Sequence, residues 1–237
     1  TSEAAKRPPV VFERTALRRG ELVFRSGPGA EPVTLAVRDL EAQLDPASRM
    51  IEVRGNGHFN AASWEISGRL GTVERLYEGR DVDEVLTARI GDARLKIQGR
   101  VHDLFVLGGP ELDVGVDGPD IVAALGTFGF RSPLTGAFHL WGRCTPSKDG
   151  VYVDVSAAVG DVTAKVRGVV GALLSPDAFH FTVEASGPDA SAVGSWVGVQ
   201  GLPARAFDLS GQVRRDDGRI HLEGLRIRVG PTSLYLA

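Results

Sequence analysis

The chain holds a single cysteine, Cys144, so no intrachain disulfide can brace it. One thiol is compatible with a reducing compartment or with a periplasm-like one. Methionine also occurs once, and aromatic residues make up only 7%. No window holds 18 consecutive apolar residues, which excludes a membrane-spanning helix within this sequence. The start lacks the pattern of a signal peptide. An excess of positive charge is missing too. The net charge is −3, the pI is about 6.0, and the arginines are scattered one or two at a time, so no clustered basic surface awaits nucleic acid. The phosphate loop, the His-Glu-x-x-His motif and the Gly-x-Ser-x-Gly elbow are all absent, so the expectation is a protein that is not an enzyme and carries no cofactor.

Glycine, by contrast, is plentiful, with 30 residues among 237, and 43% of the chain is hydrophobic. That is enough chain to bury a sizeable core. Many glycines between short apolar alternations indicate strands and turns rather than helices.

A repeat organises the sequence. Gly118-Pro119-Asp120 returns as Gly187-Pro188-Asp189, an offset of 187 − 118 = 69. The same offset joins Gly91-Asp92 to Gly160-Asp161, Gly99 to Gly168, and Phe138 through Gly142 to Phe207 through Gly211. A shared period over that length means one supersecondary unit has been copied, and copies stack. The expected units are a polar tail or linker over 1–9, a divergent first β unit over 10–84, a second over 85–158, a third over 159–229, and the start of a further one over 230–237. Because the last stretch stops within an apparent strand, the chain reads as an excerpt from a longer protein.

Along the chain, Val10 to Phe12, Gly20 to Arg25, Val33 to Leu44 and Met50 to Gly55 read as strands, with turns at 26–29 and 45–48. Trp64, Ile66 and Gly68 share one face of the next strand. Thr72 opens a short helical stretch carrying Val73, Leu76 and Tyr77, and Glu78 to Glu84 read as a charged connection. Each copied unit then has four strands and one short helix. Asp120 and Asp189 are the expected helix N-caps, since their carboxylates can accept from unpaired first-turn amides. The first helix puts Ile121, Ala124, Leu125 and Phe128 on one face and is expected to end at Ser132-Pro133. The second carries Val193, Trp196 and Val197. Asp217-Gly218 is a hairpin signal. A change of phase between Leu222 and Leu225 indicates a bulge.

Strands joined by short turns pair antiparallel, and the period-2 alternation gives such a sheet one apolar and one polar face. The apolar set is Leu95, Ile97, Leu112, Val114, Val116, Phe138, Leu140, Val153, Val166, Phe181, Val183, Leu209 and Leu222. Its opposite set includes Lys165 and Arg214. Two architectures fit: a sandwich or barrel with a dry core, or an open curved sheet whose apolar side lines a trough. Short helices cannot cover so long a sheet, and an exposed apolar trough needs an apolar occupant. The fold expected is therefore mainly β, an antiparallel repeat sheet curved into an open apolar groove with a few short helices. Lipid acyl chains would fill it, at roughly 0.8 kcal/mol per buried methylene.

The residues suited to chemistry are dispersed. His58, His102, His139, His180 and His221 form no cluster, and the repeat counterparts of His139 and His180 are Asp208 and Glu111. These positions tolerate any polar group. His221 and Glu223 share a strand face, where a solvated pair is the plainer reading than a metal site. No metal is therefore expected. Asp117 and Asp120 read as a turn and a cap, and Cys144 as a small packing residue. Trp141 falls on the polar face. The expectation is that a helix or loop covers it; the alternative is a contact for a partner or a membrane surface.

Four stretches resemble the AsmA-like family of the Gram-negative envelope, the AsmA/TamB/YhdP type. They are Gly57-His58-Phe59-Asn60 through Gly71, the Gly-Asp strands Ile90 to Gly99 and Val159 to Gly168, the Gly-Pro-Asp helix entries at 118–120 and 187–189, and the hairpin from Leu209 through Gly230. The resemblance implies a repeating β-groove domain on the periplasmic side of the inner membrane, behind one transmembrane anchor outside this chain. It implies phospholipid transport toward the outer membrane, with phospholipid acyl chains and inner- or outer-membrane envelope proteins as partners. It brings no catalytic residues. The alternative is a closed β scaffold that docks outer-membrane assembly proteins without lipid.

Overall fold

The computed structural model describes residues 13–24, 33–77, 82–102, 109–171, 173, 178–194, 201–216 and 219–236. Regular alternation over most of that length yields strands. They are β1 (Arg14–Phe24), β2 (Val33–Leu44), β3 (Met50–Phe59), β4 (Ala62–Thr72), β5 (Val82–Ile90), β6 (Ala93–Val101) and β7 (Glu111–Gly118). Then follow β8 (Phe138–Ser147), β9 (Gly150–Val159), β10 (Val162–Val170), β11 (Phe179–Gly187), β12 (Phe207–Asp216), β13 (Arg219–Val229) and β14 (Thr232–Leu236). Helices α1 (Val73–Tyr77), α2 (Ile121–Thr127) and α3 (Ser191–Gly194) are short.

The strands form one 14-stranded antiparallel sheet in simple sequence order, and β1 does not meet β14. The sheet is open, so the closed barrel and the two-sheet sandwich are not the architecture adopted. The 69-residue offset is visible in the strands themselves. Val162–Val170 repeats Ala93–Val101, and Phe207–Asp216 repeats the position of Phe138–Ser147.

Tight turns close alternate hairpins along one rim. Gly91, Gly160 and Gly230 have φ of 56°, 54° and 56° and open the two-residue turns after β5, β9 and β13; Asn60 does the same after β3 with φ 52°. Only the first residue of each turn has positive φ, the pattern of a type II′ hairpin, whose twist matches the strands. The Gly-Asp pairs of the repeat therefore mark hairpin tips. The expected bulge lies in β13. Ser210 faces Arg226 while Gln212 faces Glu223, leaving Gly224 (φ 58°) and Leu225 against Gly211.

Asp120 caps α2 as expected, in extended conformation with its carboxylate accepting from the Val122 amide at 2.9 Å. Asp189 accepts from the Ser191 amide at 2.8 Å and the Ser191 hydroxyl at 2.6 Å, which holds its carboxyl below the ordinary range.

Three expectations need correction. The helix does not run to Ser132-Pro133. It stops at Thr127, because Gly129 (φ 79°) lets its own amide and that of Phe130 turn back onto Gly126 and Leu125, a glycine-terminated C-cap. Glu78 to Glu84 are not all connection: β5 starts at Val82 and takes in Glu84. β3 continues past Gly55 to Phe59. Val10 to Phe12, the turn at 26–29, Trp196, Val197 and Asp217-Gly218 lie outside the described residues. Asp216 and Arg219 do pair across that last position.

Candidate functional site

Directly paired residues of neighbouring strands project to the same face, so the registers trace rows across the sheet. One row crosses β1 to β13 without a polar residue. It runs through Leu17, Leu40, Gly55, Ile66 and Ala88, then Leu95, Val116 and Leu140, then Ala157, Ala164, Ala185, Leu209 and Ile227. A parallel row contains Ile97, Val114, Val155, Val166 and Val183, and the next contains Leu112, Cys144, Val153, Phe181, Val213 and Leu222. Phe138 lies one row the other way, paired with Gly118 and Val159. All the expected lining residues thus share one face. Cys144 sits there too, and burial pushes its thiol up.

Full burial is confined to the margins of this face. Val82, Val101, Leu112, Val151 and Val170 are buried near one rim, and Phe207, Ile227 and Val229 pack with Ala190 near the other. Between the rims the side chains are half-buried, and Leu222 is 60% exposed. The whole chain exposes 15728 Å², where a compact protein of 25.2 kDa exposes about 10,000 Å². Among the described residues no second layer covers the sheet.

Glycine shows which way the sheet curves. A β-carbon built at Gly55 would lie 2.7 Å from the Leu40 side chain, at Gly118 2.5 Å from Phe138, and at Gly142 2.7 Å from Val155. All three glycines lie on the apolar face. Gly115, on the polar face, has nothing within 4 Å of that position. Side chains converge on the inside of a curve and diverge on the outside, so the apolar face is the inner one.

Helices α2 and α3 sit at the rim of this trough where the odd-numbered strands end, and α1 follows β4 at the opposite rim. Phe128, at the end of α2, meets Phe59 of β3 with ring centroids 5.1 Å apart, and the Asn60 side-chain amide donates to the Thr127 carbonyl at 3.0 Å. The segment after β7 thus reaches back to the β3–β4 turn. Ala190, beside α3, packs against Phe207 and Val229.

One acid interrupts the lining. Glu84 is 4% exposed and pairs with Leu70 and Gly99 on the apolar face, near Leu112. Burial raises its carboxyl above the ordinary value. Its charged neighbours in sequence hide the alternation Val82, Glu84, Leu86 that would have placed it. Gly55 and the central-row alanines Ala88, Ala157 and Ala185 also went unmarked, because a small residue gives no apolar signal.

The polar face is laced with ion pairs. Arg143 grips Asp113 with contacts of 2.7 and 3.2 Å, which lowers the Asp113 carboxyl and raises the guanidinium. Lys165 and Arg167 both reach Asp154. His139 and His180 are exposed there, His180 against Gln212 at 3.2 Å. Trp141 corrects the expectation of a cover: it is 46% exposed and, among the described residues, stacks on His139 with centroids 5.1 Å apart. Among the described residues no three His, Cys, Asp or Glu side chains gather as metal ligands, and no helix is long and apolar enough to cross a membrane.

Comparison with known proteins gives no matching family model, and neither a curated protein nor a solved structure is significantly similar to the chain.

Proposed function

We propose that this chain is a segment of a lipid-conducting groove. In this reading it belongs to a periplasmic protein held at the inner membrane by an anchor outside the chain, which carries phospholipid toward the outer membrane. One observation carries the proposal: the uninterrupted apolar row from Leu17 to Ile227, on the inner side of the curve and half-buried from Leu40 to Leu209. Water against that row is unfavourable in proportion to apolar area. An acyl chain lying along it exchanges that water at roughly 0.8 kcal/mol per buried methylene. The row crosses the strands, so its length grows by about 4.8 Å with each strand added, which suits a conduit built by repetition. The resemblance of the Gly-Asp and Gly-Pro-Asp motifs to the AsmA-like family points the same way.

The experiment is to purify the protein from bacterial envelopes and quantify co-purifying phospholipid by mass spectrometry. Leu140→Glu places a charge in the middle of the row and is expected to remove most of the lipid. Thr182→Glu, on the polar face, is expected to leave it unchanged. Folding of both is checked by circular dichroism. A folded Leu140→Glu protein that kept its lipid would overturn the assignment. A lipid-free wild type would favour an open scaffold, in place of the closed one expected from the sequence, with docking through the edge of β1 or β14 by strand addition.

A further inference from the structure

The outer face carries a second linear feature. Its middle row runs through Arg54, Ser67, Thr87 and Lys96 on β3–β6, Gly115 and Trp141 on β7–β8, and Ser156, Lys165, Glu184 and Ser210 on β9–β12. Half of these side chains are small, while the rows on either side carry arginines and acids. The result is a shallow trench. Three hollows of about 560, 580 and 550 Å³ succeed one another along it, the first two sharing Lys96 and the last two sharing Trp141, Ser156 and Lys165. From β3 to β12 the trench is about 43 Å long at the usual strand spacing of 4.7–4.9 Å.

We infer that this trench binds a linear, uncharged glycan chain, with Trp141 as the stacking platform. Its shape suits an unbranched polymer, because the trench is long and shallow and too open to enclose a compact ligand. The charge pattern is balanced. The first hollow has four basic residues, Arg54, Arg89, Arg94 and Lys96, against Glu65 and Asp117, but over the three hollows six basic residues face six acids, and Arg143 is committed to Asp113. A polyanion finds no net field to follow. The trench floor also argues against a peptide. It crosses the strands where every backbone group is already paired in the ladder, so an extended chain has no main-chain partners there.

Between the charged side chains of Arg54, Lys96, Lys165 and Glu184 the floor offers hydroxyls and one flat ring. Ser67 and Thr87 hydroxyls lie 3.0 Å apart, and Ser156 and Ser210 continue the line. The Trp141 indole is 46% exposed, and the open space above Gly115 lies directly across the strand pair from it. A pyranose ring has an apolar C–H face that can lie on an indole and equatorial hydroxyls that can reach serines and paired ions at its edges. Successive rings advance along a β-linked chain by close to one strand spacing, so ring and strand repeats run in step.

The test is titration of the protein with chitohexaose and chitobiose, followed by tryptophan fluorescence and calorimetry. The wild type is expected to bind the hexasaccharide saturably and more tightly than the disaccharide, since only the longer probe spans successive hollows. Trp141→Ala is expected to weaken binding by about tenfold or more. Gly115→Leu fills a space the fold leaves empty, so it folds, and it is expected to weaken binding comparably by covering the indole's flank. Co-purifying lipid is unchanged in both, which separates this trench from the inner face. Absence of saturable binding at millimolar hexasaccharide, or equal binding by Trp141→Ala, overturns the inference. So does Trp141-dependent self-association that the sugar does not compete with, which would make the indole a contact between copies.

Discussion

Glu84 is the residue at which the inner face is least comfortable. A carboxylate beside Leu70, Gly99 and Leu112 has lost its water, and burial alone raises its carboxyl above the ordinary 4.5. Below that value it is protonated in both the folded and unfolded chain. As pH rises, the unfolded chain releases its proton first while the folded one holds it. The Glu84 contribution to stability therefore falls from about pH 4.5 upward, through the raised folded value, and is flat beyond it. Asp45, Asp113 and Asp189, whose carboxyls are lowered by hydrogen bonds, act in the opposite sense at more acid pH. Comparison with a variant isolates the Glu84 share. Glu84→Leu is expected to be more stable by about 1–3 kcal/mol at neutral pH and indistinguishable from wild type, or nearly so, in acid. Urea unfolding at both pH values measures it. Equal effects at both would mean that packing, not charge, sets the difference. Single residues of this kind were poorly legible in the sequence. Glu84 sat in a charged run, and Trp141 was assigned the correct face but not its exposure.

At the scale of the element, alternation carried most of the information. A polar residue between two apolar ones fixes a face, and hairpin glycines fix where the strand ends, so β2 and β6 through β13 were readable with their phases. What alternation cannot reveal is where a strand must lie close to its neighbour. Gly99 and Gly168 occupy equivalent places in β6 and β10, with φ of 145° and 156°. A β-carbon at Gly168 would fall 1.9 Å from the His180 carbonyl, and one at Gly99 2.0 Å from that of Glu111. The repeat made these glycines recognisable as a pair; only the register supplies the reason. Gly168→Ala is expected to destabilise the protein by roughly 3 kcal/mol through backbone strain and collision. Gly115→Ala, in the middle of β7 with open space around it, is expected to be neutral or slightly stabilising, within about 0.5 kcal/mol. Thermal unfolding of the two separates the crowded glycine from the open one, and similar losses would contradict the backbone collision assigned to Gly168. The helices were legible only at their starts. Asp120 and Asp189 announce an entry, whereas the end of α2 depends on the positive φ of Gly129, four residues before the proline that looked like the stop.

For the molecule as a whole, the sheet spends its hydrophobic residues unusually. Most domains use two layers to hide an apolar face; this one buries residues at its two rims and leaves the middle of the face half-covered. The periodic sequence made the open sheet legible, because repeated units of like length stack in order and add strands without closing. It did not make the occupant legible, since aliphatic side chains bear no chemical mark of what they touch. The same order gives the protein two long, parallel surfaces on opposite sides: an apolar one inside the curve, and a polar one outside on which Trp141 stands.

The most direct measurement is site-specific photo-crosslinking in living cells, with the probe placed at Leu140, Val183, Lys165 or Arg214 and the adducts assayed for phospholipid. The account predicts phospholipid adducts at Leu140 and Val183 and none at Lys165 and Arg214. A folded protein with no lipid adduct at either inner position, or with equal adducts at all four, would contradict it.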